Sequence, residues 1–121
     1  MMIKVEAIVR EEKLEDVKEA LSKINVNGIT VFQVMGCGTQ KGYSTHVRGQ
    51  EVDITLNPKV KFEIVLSSEE WEERVVKAIR EAAYTGAVGD GKIFTYEVRE
   101  ATRIRTGEVG QKALWTQQDS K

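Results

Sequence analysis

The chain is poor in the residues that usually announce a chemistry: it has one cysteine, one proline and one histidine among 121 residues. A single Cys37 cannot close an internal disulfide, which excludes a disulfide-stapled scaffold and suits a reducing cytoplasm. One histidine, His46, with no cysteine partner and no metal-ligand spacing, leaves neither a Cys–His pair nor a zinc motif. At 121 residues with a single Pro58 the chain has no room for a linker, so residues 1–121 read as one domain. Aromatic residues make up only 7%, too few for the stacking platforms of an RNA reader. Net charge is nearly absent as well: 18 Lys and Arg against 19 Asp and Glu give −1, so no basic field is present to hold nucleic acid. No apolar run approaches the ~20 residues of a membrane span. Met1-Met2-Ile3-Lys4 reads as a strand entering the fold rather than as a leader. What remains is 40% apolar and 31% charged, an ordinary globular balance with enough material for a real core.

Periodicity supplies the architecture. Val5 to Val9 is short, apolar and β-branched, as a strand requires. Leu14, Val17, Leu21 and Ile24 recur at helical spacing, which predicts a helix over 12–24, stopped at Asn25 to Gly28. Ile29 to Met35 and Lys61 to Leu66 read as strands. Ser67-x-x-Glu70 reads as a capping box for a second helix with Trp71, Val75, Ala78, Ile79 and Ala82 on one face. Ile93 to Val98 is a fourth strand, and Arg99 to Arg105 offers a short fifth. The order βαββαβ, with Lys4-Val-Glu-Ala-Ile-Val echoed by Lys61-Phe-Glu-Ile-Val-Leu, predicts a ferredoxin-like split βαβ fold of the α+β class. Its antiparallel sheet would carry both helices on one face. The open face, with apolar residues on several strands, predicts an oligomer. Residues 36–58 show no clear periodicity, and a loop of that length in a compact domain is usually functional.

Chemistry concentrates in Thr85-Gly-Ala-Val-Gly-Asp-Gly-Lys-Ile-Phe94. Three glycines let the backbone approach an anion and turn its N–H groups toward it, and Lys92 adds a charge. The spacing from Gly86 to Lys92 matches a phosphate-binding P-loop, but the context does not: this loop follows a helix, precedes a strand and continues with Ile93. It is therefore a phosphate cradle of another kind. Arg103 and Arg105, two apart, would share a face on an extended segment and grip one polyphosphate. Gly36-Cys-Gly-Thr-Gln-Lys-Gly42 is a second glycine-rich stretch at a strand's end. The glutamates and aspartates of both helix starts read as solvated first-turn acids, and His46 reads as a solvated loop histidine.

Taken together, Gly36 to Gly42, Arg48-Gly49, Pro58-Lys-Val-Lys61, Thr85 to Phe94 and Arg103-Ile-Arg-Thr-Gly-Glu108 resemble the PII family of nitrogen-signalling proteins, over residues 2 to about 114. The resemblance implies a homotrimer that is regulatory rather than catalytic. ATP and ADP would compete in clefts between subunits, and 2-oxoglutarate would bind with Mg-ATP. By position, Ile8, Thr30, Gly36, Gly38, Thr39, Val65, Gly89, Asp90, Gly91 and Lys92 would line the nucleotide, with Arg103 and Arg105 reaching the phosphates from the adjacent subunit. Gln40 and Lys59 would serve 2-oxoglutarate, Gln40 also approaching the magnesium. Segment 36–58 would be the family's T-loop, 85–92 its B-loop, and 101–121 its C-terminal segment. Arg48 would meet partners such as an ammonium channel or a nitrogen-assimilation enzyme, from a cytoplasmic location.

The chain departs from the family at three places. Val52 stands where uridylylated members carry Tyr, and Gln50 where cyanobacterial-type members carry the phosphorylated Ser, so control by ligands alone is expected. Thr39 stands where many members carry Arg near the phosphates, which puts ATP/ADP discrimination in question. Two other readings share the residues: an ATP/ADP energy sensor with no 2-oxoglutarate response, and a small phosphotransferase or acylphosphatase using His46. The second lacks an orienting partner for its nucleophile.

Overall fold

The fold is that of a computed structural model, which describes residues 1–26, 28–39, 45–47, 50–52 and 54–114, with only the backbone followed over 37–55. The elements in order are β1 (Met2–Arg10), α1 (Leu14–Lys23), β2 (Ile29–Thr39), β3 (Thr45–Val47), β4 (Gln50–Val52), β5 (Ile54–Leu66), α2 (Glu72–Ala83) and β6 (Gly91–Val98). Four strands make one antiparallel sheet in the order β2-β5-β1-β6, and β3 pairs with β4 separately. This is the split βαβ arrangement that the periodicity predicts.

Alternation in β1 explains the layering. Ile3, Val5, Ala7 and Val9 are buried, whereas Lys4, Glu6, Ile8 and Arg10 face the other way. The first set meets Val60, Phe62 and Ile64 of β5, Val17 and Leu21 of α1, and Val75 and Ile79 of α2 in one apolar cluster. Both helices therefore cover the same face. α1 ends as Asn25 and Gly28 lead one to expect. Asn25 takes φ 64°, its N–H donates to Ser22 O (3.0 Å), and Val26 N–H reaches back to Leu21 O (2.9 Å), closing the helix in a Schellman motif.

Two local expectations are corrected and one is extended. Ser67 does not form a capping box. The chain enters α2 one residue later, through extended Ser68 and a 3₁₀ turn over Glu69–Trp71, with no side-chain cap. In α2 the buried face also takes in Ala83, which the spacing leaves out, while Ala82 and Trp71 pack partly buried against the core as that spacing predicts. Arg99 to Arg105 is not a strand: a lone bridge between Thr102 and Val109 closes a turn instead.

The stretch beyond Met35 also holds more order than its pattern shows. β2 runs on to Thr39 and pairs with β5 down to Ile54, so much of it is backbone ladder. Met35 and Leu56 are 60% and 61% exposed. Both lie on the face that β5 buries farther along at Val60 and Phe62, so beyond Met35 that face meets water and the alternation of a half-buried strand is lost.

The uncovered face holds Phe32, Val65, Phe94 and Tyr96, all more than a third exposed. Charges are interleaved among them: Glu63 is paired with Lys4 (3.5 Å) and Lys61 (3.2 Å), and Lys61 lies 4.8 Å over the Phe32 ring. Among the described residues no helix is long and apolar enough to cross a membrane.

Candidate functional site

The loop from Tyr84 to Asp90 is built around one carboxylate. Asp90 Oδ2 accepts from the N–H groups of Thr85 and Gly86 (both 2.9 Å), and Oδ1 accepts from the Thr85 hydroxyl and from Arg10 Nε (3.0 Å). The Thr85 hydroxyl, its backbone N–H and the Arg10 guanidinium together hold the Asp90 carboxyl far below the usual range. Thr85 Oγ1 in turn accepts from Ala87 N–H (3.2 Å). Asp90 is therefore turned into its own loop, and it organises the loop rather than offering a free carboxylate to a ligand.

Two cations clasp this loop from the sheet. Arg10, at the end of β1, also donates through Nη2 to Val88 O (2.8 Å), and Lys59 Nζ donates to Gly89 O (2.6 Å). They converge on Gly89: a Cβ there would lie 3.3 Å from Arg10 Nη2 and 3.6 Å from Lys59 Nζ. Gly36 belongs to the same neighbourhood, because a Cβ on it would press to 3.0 Å of the Lys59 stem. Gly91 has a stricter reason. It combines φ +103° with a position where a Cβ would fall 1.7 Å from Ile8 O, so only glycine lets β6 start beside β1. Lys92 follows, exposed and directly across from Ile8. Beneath the loop a cleft of about 330 Å³ is lined by Ile8, Val9, Val76, Ile79, Ala83, Tyr84 and Ile93, with Arg80, Asp90, Gly91 and Lys92 beside them.

The residues singled out from sequence fall into two groups. Ile8, Gly36, Lys59 and Gly89 to Lys92 gather where β1 ends and β6 begins, and the backbone of Gly38 and Thr39 continues from there along the ribbon. Thr30 and Val65 lie at the other end of the sheet, next to Glu63 and Lys4 respectively. The arginine turn grows from that far end too. Gln111, just past it, donates to Ser67 O (2.7 Å), immediately after β5. The eight residues of β6 from Gly91 to Val98 span about 23 Å of strand. From Ala101 to Ile104 the chain spans at most about 10 Å. One copy therefore does not bring its arginines to its own glycine loop, and they do not lie side by side on an extended segment but flank a turn. Gln40 and Arg48 lie outside the described residues.

Arg10 and Thr85 carry much of the loop's geometry without having been marked as site residues. The available signal was positional: a cation ending an apolar strand, and a hydroxyl opening a glycine loop, are the partners that a lone Asp at that loop's end would need.

A family model described as Nitrogen regulatory protein P-II matches residues 2–108. The chain is 50% identical over 113 residues to the nitrogen regulatory protein P-II of Rhizobium meliloti, covering 93% of this chain and 100% of that one. It is 51% identical over 113 residues to nitrogen regulatory protein P-II 1 of Methanothermobacter thermautotrophicus, covering 93% and 97%. Among solved structures, a B. subtilis GlnK–ATP complex superposes with TM-score 0.78 at 37% identity, covering 93% of this chain and 96% of that one. Arabidopsis thaliana PII bound to citrate superposes with TM-score 0.73 at 42% identity, covering 93% and 91%.

Proposed function

The chain belongs to the nitrogen regulatory protein P-II family, and we propose that it is a trimeric, non-catalytic sensor that binds ATP or ADP between subunits and 2-oxoglutarate together with Mg-ATP. It would report that state to partners such as an ammonium channel or a nitrogen-assimilation enzyme through segment 36–58. The observation that carries this reading is the division of the candidate residues between two ends of one sheet. A phosphate cradle with Lys92 at one end and an arginine turn at the other form one complete anion site only when two copies meet. The exposed Phe32, Phe94 and Tyr96 on the open face supply the apolar area for such a meeting.

The chemistry of each part suits the ligands. Glycine-rich backbone and Lys92 suit phosphates. Arg103 and Arg105 would bring planar guanidinium donors to the same polyphosphate from the neighbouring copy. Lys59, now resting on a carbonyl, would gain by exchanging that neutral acceptor for a carboxylate of 2-oxoglutarate. A GlnK that holds ATP and a PII that holds citrate, itself a polycarboxylate, support both halves of the reading. Among the described residues no group of three or more His, Cys, Asp or Glu converges, and Asp90 is saturated by donors. The magnesium would therefore arrive on ATP, with Gln40 as the protein's contribution. A hard cation held by phosphate and carbonyl oxygens fits that division. Because Lys59 clasps the loop and stands in β5 at the base of segment 36–58, a ligand that moves it can bias that segment by differential affinity alone.

Isothermal titration of 2-oxoglutarate with and without Mg-ATP tests the proposal. Heat only with Mg-ATP, abolished by Lys59→Ala, is the expected result. ATP binding without any 2-oxoglutarate response would leave an ATP/ADP sensor, and no nucleotide binding would overturn the reading.

A further inference from the structure

Ile104 is completely exposed, yet it sits on a tightly made turn. Arg103 N–H donates to Glu108 O and Gly107 N–H to Arg103 O (both 2.8 Å), while Gly110 N–H donates to Ala101 O (2.9 Å). Glu108 Oε1 accepts from Thr106 Oγ1 (2.9 Å) and Arg103 Nη1 (3.4 Å), and Arg103 Nε donates to Ala113 O (3.3 Å). A single exposed isoleucine is ordinary on a surface. This one stands between the two arginines, at the tip of a turn whose backbone is fixed on both sides.

Resting on the nucleotide reading above, we propose that Ile104 is a positioning residue. In the assembled protein it seats in the apolar cleft beside the glycine loop of a second copy and thereby fixes Arg103 and Arg105 over the bound phosphates. The cleft shares Gly91 and Lys92 with the cradle, so the surface that receives the phosphates borders the surface that receives Ile104. Neighbouring Cα atoms are 3.8 Å apart. Arginines that reach the cradle thus bring Ile104 to the partly exposed Val76, Tyr84 and Ile93 that wall the cleft beside it. The turn's own hydrogen bonds fix its shape but not its tilt against another copy, and a turn free to tilt loses much of its phosphate gain to entropy. An apolar anchor between the two arginines removes that freedom before the nucleotide arrives. Only a second copy can be the occupant, because the turn and the cleft of one chain lie at opposite ends of its sheet.

The test is Mg-ATP titration of the full chain and of Ile104→Ser, Ile104→Leu, Arg105→Ala and the Ile104→Ser/Arg105→Ala double variant, with unfolding monitored alongside. Ile104→Ser should weaken ATP about tenfold, as expected for losing a positioned charge-assisted contact, with the ligand-free protein still folded by circular dichroism. Ile104→Leu should restore affinity to within about threefold. The double variant should bind little worse than either single one, because the anchor acts through the arginine. Parent-like affinity in Ile104→Ser, or losses that multiply independently, would overturn the anchor and leave the nucleotide reading standing. A parent chain that binds no ATP would overturn both.

Discussion

Replacing Gly91 by alanine puts one methyl group where the sheet has no room for it. The added carbon would lie 1.7 Å from Ile8 O, 2.8 Å from the Ile8 carbonyl carbon and 3.3 Å from Val9 Cα. These atoms are the backbone of a central strand and cannot swing aside. Relief needs β6 to retreat by roughly 1.5 Å, which breaks the first rungs of its ladder with β1. Each lost rung costs about 1 kcal/mol. The φ of +103° adds about 1–2 kcal/mol for any side chain in a left-handed conformation. The total, about 3–4 kcal/mol, is a large fraction of the 5–15 kcal/mol that holds a domain of this size. It corresponds to a fall of about 10 °C or more in unfolding temperature. Gly107 is the matched control: its φ is +76°, but a Cβ there meets nothing within 4 Å. Gly107→Ala should cost only the conformational term, about 1 kcal/mol. Thermal unfolding by circular dichroism, run on both variants, separates the two contributions. Equal losses would show that the close approach of β6 to β1 is not what requires glycine at 91, and the reasoning would fail.

Other expectations concern the clasp and the open face. Asp90 has a depressed native pKa, so its ionised contacts stabilise the fold above the unfolded value of about 3.9 and are lost as pH falls through the native one. Asp90→Asn should accordingly be less stable than the parent at pH 7, with the gap narrowing below about pH 4; a gap that stays constant down to pH 2 would refute the network. Arg10→Ala removes the donors to Val88 O and Asp90 while leaving the core intact. It should weaken ATP about tenfold with little change in unfolding temperature, and unchanged ATP heat would refute its role. Phe94→Asp together with Tyr96→Asp, on the exposed face of β6, should shift the proposed trimer to monomer in sedimentation. An assembly that survives both changes would place the interface elsewhere.

Much of the fold was legible because its elements bury one face each. Val5-Ala7-Val9, Val17-Leu21 and Val75-Ile79 announce their layers through spacing alone. The ribbon beyond Met35 was hidden for the opposite reason: the face that β5 buries farther along meets water at Met35 and Leu56, which leaves the backbone ladder without an alternation to announce it. At the end of α2 the spacing marked Ala82, which does pack against the core, and left out the more buried Ala83, because two adjacent alanines give periodicity little to choose between. At the site, glycine and lysine spacing marked the cradle. The clasp by Arg10 and Lys59 is a long-range pairing, and its partners are the backbone oxygens of Val88 and Gly89. A sequence displays no carbonyls, so no motif could have shown it. The arginine pair stood out by its spacing, and the reading of the bare residues placed it beside the cradle; the direction of β6 and the tie of Gln111 to Ser67 O put it at the opposite end of the same sheet.

The ladder between β2 and β5 changes character at Lys59. Below it, β5 is flanked on both sides, since Arg10 of β1 pairs with Lys59 and the pairing continues to Ile3 and Leu66. Among the described residues, β5 from Pro58 to Ile54 has β2 as its only neighbour in the sheet. The structure is thus a lever arm fixed in a three-stranded mount, and Lys59 is its fulcrum. Over the five residues to Ile54 the arm is about 17 Å long. A rotation of about 10° at Lys59, well within the twist range of a two-stranded ribbon, would carry its far rung about 3 Å. The same lysine grips Gly89, so a release of that grip too small to notice in the sheet is multiplied at the far end of the arm.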